Sequence, residues 1–186
     1  MGTDVNAEYW KEYYKDRTRG DTSQFAKWVR PRITGRRTFD VGCGDGADTL
    51  FLAETEFVRG FDPAGPEGPM ITQDYHTAMW EEGYRPGRDD TLYARWLFHS
   101  VPGSVMHQIL EDWPGELFAE TRVLPGSVDD SHWREPVDEG EHRALLIRLG
   151  YSIRYWEVSD KFSPMPLHRD ERQRNPLLLR VWAYRI

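Results

Sequence analysis

The alternation of apolar and polar positions divides the chain into short helical and extended stretches. Glu8 to Lys15 (EYWKEYYK) mixes aromatic and charged residues at helical spacing, and Phe25 to Val29 is a short amphipathic stretch closed by Pro31. Both predict helices lying against a core. Thr38 to Val41 (TFDV) is a β-type run that breaks into glycines, after which ADTLFLAE returns to helical spacing. Strand, glycine loop and helix together open a βα unit. Val58 to Phe61 predicts a second strand ending at Asp62, and Met70 to Gln73 a third ending at Asp74. Thr91 to Phe98 predicts a fourth, and Glu116 to Thr121 a fifth. Glu141 to Leu149 reads as a helix stopped by Gly150, and Ser152 to Val158 and Leu177 to Tyr184 are the last two strands.

Strands alternating with helical segments predict an α/β fold with a mostly parallel, seven-stranded sheet. The end departs from that rule. Residues 159–176 are polar and proline-studded, with no helical stretch, so the last two strands are expected to pair as an antiparallel β-hairpin. A second irregularity is PAGPEGP, between Asp62 and Met70, where a parallel crossover normally takes about a dozen residues or more. It is read as a trimmed loop.

Composition narrows the function classes. At 186 residues and 39% hydrophobic, the chain suits one packed domain. A net charge of −7 argues against a nucleic-acid partner, since phosphates are held by clustered Lys and Arg. No apolar run reaches the length of a membrane span, and the polar start MGTDVNAEYWKEYY lacks the apolar core of a signal peptide. Cys43 is the only cysteine, which suits a reducing compartment. A cytoplasmic enzyme or binding domain is expected, of unknown oligomeric state.

The chemistry concentrates in Asp40-Val41-Gly42-Cys43-Gly44-Asp45-Gly46-Ala47-Asp48. Alternate glycines let the backbone approach a ligand closely, and the following helix turns its free N–H groups toward it. Gly42, Gly44 and Ala47 also satisfy the dinucleotide pattern G-x-G-x-x-G/A, with Asp62 twenty residues on as a ribose acid. A nucleotide (NAD/FAD)-binding oxidoreductase is therefore the competing reading. Asp40 weighs against it, because a pyrophosphate gains nothing from a carboxylate there, whereas a sulfonium ligand with an amino-acid tail carries a cationic amino group. The terminal hairpin weighs the same way.

The run FDVGCGDGADTLFLA resembles the first motif of class I S-adenosylmethionine-dependent methyltransferases, which have a Rossmann-like domain. More narrowly, AEYWKEYY, SQFAKWV, YARWLFHSV, FAETR, SHWREPVD and NPLLLRVWAYRI resemble small methyltransferases associated with polysaccharide and sugar-phosphate biosynthesis. The resemblance touches nearly the whole chain and implies a single domain over 1–186, with 1–34 as a helical lid and 35–186 as the core. PAGPEGP departs from relatives that usually carry a helix there, which bears on the adenine side.

The resemblance implies that S-adenosylmethionine is bound and S-adenosylhomocysteine released. Asp40 and the backbone of Gly42, Cys43, Gly44 and Gly46 would hold the methionine end, Asp62 the ribose hydroxyls, and Asp74 the adenine amino group, with Tyr75 as a stacking face. Arg95 and Trp96 would lie beside the transferring methyl, and Tyr9, Trp10 and Tyr13 would cover the cofactor.

A hydroxyl acceptor needs a base for its proton. His99, directly after the fourth strand, is the first candidate, with Glu120 and His132 next. Arg122 and Arg134 suit a phosphate or carboxylate on the acceptor. YARWLFHSV lacks the Asn/Asp-Pro-Pro-aromatic loop associated with methylation of base amino groups, and no zinc motif is present. A sugar, glycan or other small-molecule hydroxyl is the expected acceptor. A non-catalytic subunit that binds cofactor to support a partner is a further reading.

Overall fold

The computed structural model describes residues 3–15, 18–55, 57–64, 71–72, 85–123, 135–162 and 176–186. In chain order the elements are α1 (Thr3–Lys15), α2 (Gln24–Val29), a single 3-10 turn (Arg30–Arg32), β1 (Arg37–Val41), α3 (Ala47–Ala53), β2 (Phe57–Phe61), β3 (Ile71–Thr72) and β4 (Asp90–Arg95). After these come α4 (Gly103–Asp112), β5 (Glu116–Arg122), α5 (Glu139–Arg148), β6 (Tyr151–Ser159) and β7 (Leu178–Arg185). No helix among the described residues is long and apolar enough to cross a membrane.

The strands form one mixed sheet in the order β3-β2-β1-β4-β5-β7-β6. β1 to β5 pair in parallel, and β7 runs antiparallel to both β5 and β6. The expected hairpin is thus present, with its second strand inserted beside β5. Of the seven strands expected, six have five residues or more. The third, expected over Met70 to Gln73, is seen as the pair Ile71–Thr72, and Met70 and Gln73 lie outside the described residues.

Strand alternation builds two cores. Leu92 and Ala94 of β4 and Leu117 and Ala119 of β5 face one side, where Ile109 and Leu110 of α4, Trp113, and Leu145 and Leu146 of α5 cover them. Tyr93 and Phe118, one residue out of step, face the other side under Phe25, Ala26 and Val29 of α2 and Leu52 of α3. Fully burying each such side chain contributes about 1.5–3 kcal/mol. Helix α4 was not among the expected elements. Its apolar positions 105, 106, 109 and 110 follow helical spacing.

β4 stops three residues earlier than expected, because Trp96 adopts φ +61, the only non-glycine positive φ among the described residues. The chain therefore leaves the sheet beside the glycine loop. Strand order reverses between β1 and β4, the place where open α/β sheets bind ligands at their carboxyl edge.

Candidate functional site

The glycine loop joins β1 to α3. Gly42 and Cys43 donate their N–H groups to the Phe61 carbonyl at 2.8 and 3.3 Å, so the loop is tied to the end of β2. Gly42, Gly44 and Gly46 have φ of +77, +57 and +77. A Cβ on Gly44 would lie 2.5 Å from the Tyr14 hydroxyl, and one on Gly42 would lie 2.9 Å from Leu97 Cδ1. The bare Cα face of Gly44 is a cradle that any side chain would fill, as a ligand needing close backbone approach requires.

Carboxylates surround this loop. Asp62 accepts from the Gly44 N–H at 2.9 Å and from the Ala64 N–H at 2.8 Å, which sets it at the end of β2 against the cradle. A carboxylate has room for about four hydrogen bonds in all. Asp40 is buried and accepts from the Thr49 hydroxyl at 2.6 Å. Burial pushes its pKa up to about 8, with Asp48 and Asp62 adding to the rise and Thr49 and Arg95 opposing it. At neutral pH Asp40 is therefore mainly a neutral acid, which a cation brought beside it would ionise.

The N-terminal segment is strapped onto the start of α3. Gly20 N–H donates to Asp45 Oδ2, and Ser23 donates its N–H and hydroxyl to Asp48, each at 2.7 Å. Asp48 also accepts from the buried Tyr93 hydroxyl at 2.7 Å and lies 3.8 Å from Arg95. On α1, Tyr9, Trp10 and Tyr13 pack on one another with centroids 5.1–6.2 Å apart. Tyr14, not singled out in the sequence, is the aromatic that reaches Gly44. Burial and the neighbouring Asp62 push its pKa up, so the phenol stays a neutral donor. Its signal is the spacing of four from Trp10, on which it stacks at 5.9 Å.

At the carboxyl ends of β4 and β5 and the amino end of the antiparallel β7, Arg95, Glu120 and Arg180 stand in register across three neighbouring strands. Glu120, 1% exposed, accepts from Arg180 Nε at 2.7 Å, from Arg95 Nε at 3.4 Å and from the Trp96 indole N–H at 3.2 Å. The Arg95 and Arg122 guanidiniums lie 4.7 and 5.5 Å from the Trp96 ring centroid.

Several expected roles change. His99 is buried at 1% exposure, and its Nδ1 accepts the Arg122 backbone N–H at 3.3 Å beside the Thr121 hydroxyl at 3.2 Å. That bond places the ring's own proton on Nε2 and turns its basic nitrogen into the sheet, so the geometry gives His99 a structural task instead of the expected base. Glu120 is likewise held by two guanidiniums and an indole rather than presented to an acceptor. Cys43 is half-buried in the loop, and burial pushes its thiol pKa up, away from thiolate chemistry. Asp74, Tyr75, His132 and Arg134 lie outside the described residues. A groove of about 300 Å³ between Gly35, Arg88 and Arg185 lies at the opposite, amino end of the parallel strands, away from this constellation.

No protein-family model matches the sequence, and no curated protein matches it. Solved structures do. A S-adenosylmethionine-dependent methyltransferase from Anabaena variabilis aligns with TM-score 0.67 and 14% identity, covering 98% of this chain and 94% of that one. Magnesium protoporphyrin IX methyltransferase from Synechocystis, with bound S-adenosylhomocysteine, aligns at 0.60 and 16%, covering 98% and 95%. The 1,6-didemethyltoxoflavin-N1-methyltransferase of Burkholderia thailandensis aligns at 0.60 and 16%, covering 97% and 84%. The chain thus has the fold of the class I S-adenosylmethionine-dependent methyltransferases.

Proposed function

We propose that the chain is a S-adenosylmethionine-dependent methyltransferase acting on a small-molecule or glycan hydroxyl, with sugars as the leading acceptor class. The observation that carries the cofactor reading is the glycine loop at Gly44, whose bare Cα face is covered by the Tyr14 hydroxyl and whose N–H is held by Asp62, with Asp40 buried on the preceding strand. Bound there, S-adenosylmethionine supplies an electrophilic methyl group. Asp62 would accept from the ribose hydroxyls, and the ionised Asp40 would balance the charge of the amino group. Tyr14 would close the cradle from α1, with residues 1–34 serving as the lid of a single domain.

The chain's own contribution to transfer is positioning and exclusion of water. The hydroxyl as acceptor rests on the absence of the Asn/Asp-Pro-Pro-aromatic loop after β4. Neighbours of this fold are named for porphyrin and toxoflavin substrates, so acceptor choice lies in the walls rather than the scaffold. Arg122, half-buried beside Trp96, suits an anionic group on the acceptor. A single cysteine fits a cytoplasmic setting. The test is release of S-adenosylhomocysteine when the protein is incubated with S-adenosylmethionine and fractionated small-molecule extracts. Release with a neutral or phosphorylated sugar fraction supports the reading. Release only with amine-bearing acceptors would replace the hydroxyl assignment.

A further inference from the structure

Trp96 is bulky and stands at φ +61, a conformation that side chains of its kind rarely take. Three bonds hold it there. Its N–H donates to the Glu120 carbonyl at 2.7 Å, its indole N–H donates to the Glu120 carboxylate at 3.2 Å, and its carbonyl accepts from the Ser100 hydroxyl at 3.0 Å. Two of the three therefore come from a single residue on the neighbouring strand.

The reversal at Trp96 has consequences on both sides. Arg95, before it, reaches toward Asp48 in the first turn of α3 at 3.8 Å. Leu97, after it, packs on the Cα face of Gly42, with Cδ1 2.9 Å from where a Cβ would stand. An extended residue at position 96 would carry Leu97 along the direction of β4 and away from the glycine loop.

The row that secures this turn, with Glu120 and Arg180 buried and Arg95 half-buried, is not by itself a sign of added stability. Arg–Glu–Arg triads of this kind are often replaced by well-packed apolar residues without loss of stability, and sometimes with gain. The Arg95–Glu120–Arg180 row spans β4, β5 and β7 in register, and Glu120 is the acceptor that both guanidiniums share.

We propose that Glu120 is a positioning residue for the cofactor cleft: through both of its bonds to Trp96 it holds the Arg95–Trp96–Leu97 turn in the left-handed conformation that shapes the wall beside Gly42. The proposal rests on the cofactor reading above. Glu120 acts through Trp96 and touches no reacting atom.

The experiment compares Trp96→Gly with Trp96→Ala, alone and combined with Glu120→Gln, using calorimetric titration with S-adenosylhomocysteine and urea unfolding. Both single substitutions remove the indole, but glycine tolerates a positive φ that alanine resists. Trp96→Gly is expected to bind S-adenosylhomocysteine about tenfold more tightly than Trp96→Ala and to unfold at higher urea. Glu120→Gln leaves the backbone bond and weakens the side-chain bond to the indole, so it is expected to weaken binding about tenfold in the parent and by less than about threefold in the Trp96→Gly background, where the indole is absent and glycine takes the positive φ unaided. Equal affinities of the glycine and alanine variants would overturn the proposal, as would an equal effect of Glu120→Gln in both backgrounds. Should Glu120→Gln fail to fold, the glycine–alanine pair decides alone. Absence of binding to the parent protein would count against the cofactor reading, and the urea order of the two Trp96 variants would still test the held turn.

Discussion

Replacing His142 with phenylalanine is expected to stabilise the protein and to remove part of its acid sensitivity. The imidazole is 1% exposed on α5, between Phe98 and Trp156 with ring centroids 5.8 and 6.0 Å away. Among the described residues neither ring nitrogen has a hydrogen-bond partner. Burial pushes its pKa down from 6.5 to about 4. Between those values the unfolded chain binds a proton that the folded chain does not, so stability rises with pH through the window and falls on acidification. At 1.36 kcal/mol per pH unit the gap amounts to about 3 kcal/mol in full, of which about 2 kcal/mol is lost between pH 7.5 and pH 5. Phenylalanine keeps a flat ring of similar size and removes two buried polar atoms, a gain of about 1 kcal/mol at pH 7.5. Urea unfolding of parent and variant at both pH values reads this directly. Equal losses on acidification for the two proteins would refute the reasoning, because His142 would then be paired or hydrated in the folded state.

Binding of S-adenosylmethionine at pH 7 is expected to release up to about one proton from Asp40, because the incoming amino group favours the ionised acid. Affinity then rises with pH toward about 8, and calorimetry in buffers of different ionisation enthalpy measures the proton, which Asp40→Asn abolishes. Gly44→Val sets a branched side chain on the Tyr14 hydroxyl at a positive φ, so loss of S-adenosylhomocysteine binding with an unchanged circular dichroism spectrum is expected. Asp48→Ala removes the acceptor for Ser23 and the buried Tyr93 hydroxyl, at a cost of about 3 kcal/mol. Limited proteolysis of that variant is expected to cut first near residues 18–23, whose tie to α3 it breaks.

Local chemistry made much of the fold legible. The run from Thr38 to Ala53 needs no distant partner to be read, since an apolar strand, alternate glycines and a helical return carry the signal themselves. The terminal hairpin was legible for the same reason, from the polar, proline-studded sequence of residues 159–176, which carries no helical pattern. What the chain hides is set by contacts distant in sequence. Trp96 ends β4 early because Glu120, on another strand, accepts from both its backbone N–H and its indole N–H, and nothing in YARWLFHSV marks that. His99 looks like a base from its place after a strand, yet the Arg122 backbone decides which nitrogen carries the proton. Tyr14 differs from Tyr13 by one position on α1, and only the placement of that helix over Gly44 separates their roles.

The measurement closest to the central claim is calorimetric titration of the purified protein with S-adenosylmethionine, S-adenosylhomocysteine and NAD in parallel, repeated on Asp62→Ala. The account predicts saturable binding of the first two, none of NAD, and at least about tenfold weaker binding in the variant, whose lost ribose contacts are charge-assisted hydrogen bonds of roughly 1.5–3 kcal/mol each. Saturable NAD binding without S-adenosylmethionine binding, or an Asp62→Ala protein that binds S-adenosylmethionine as tightly as the parent, would contradict it.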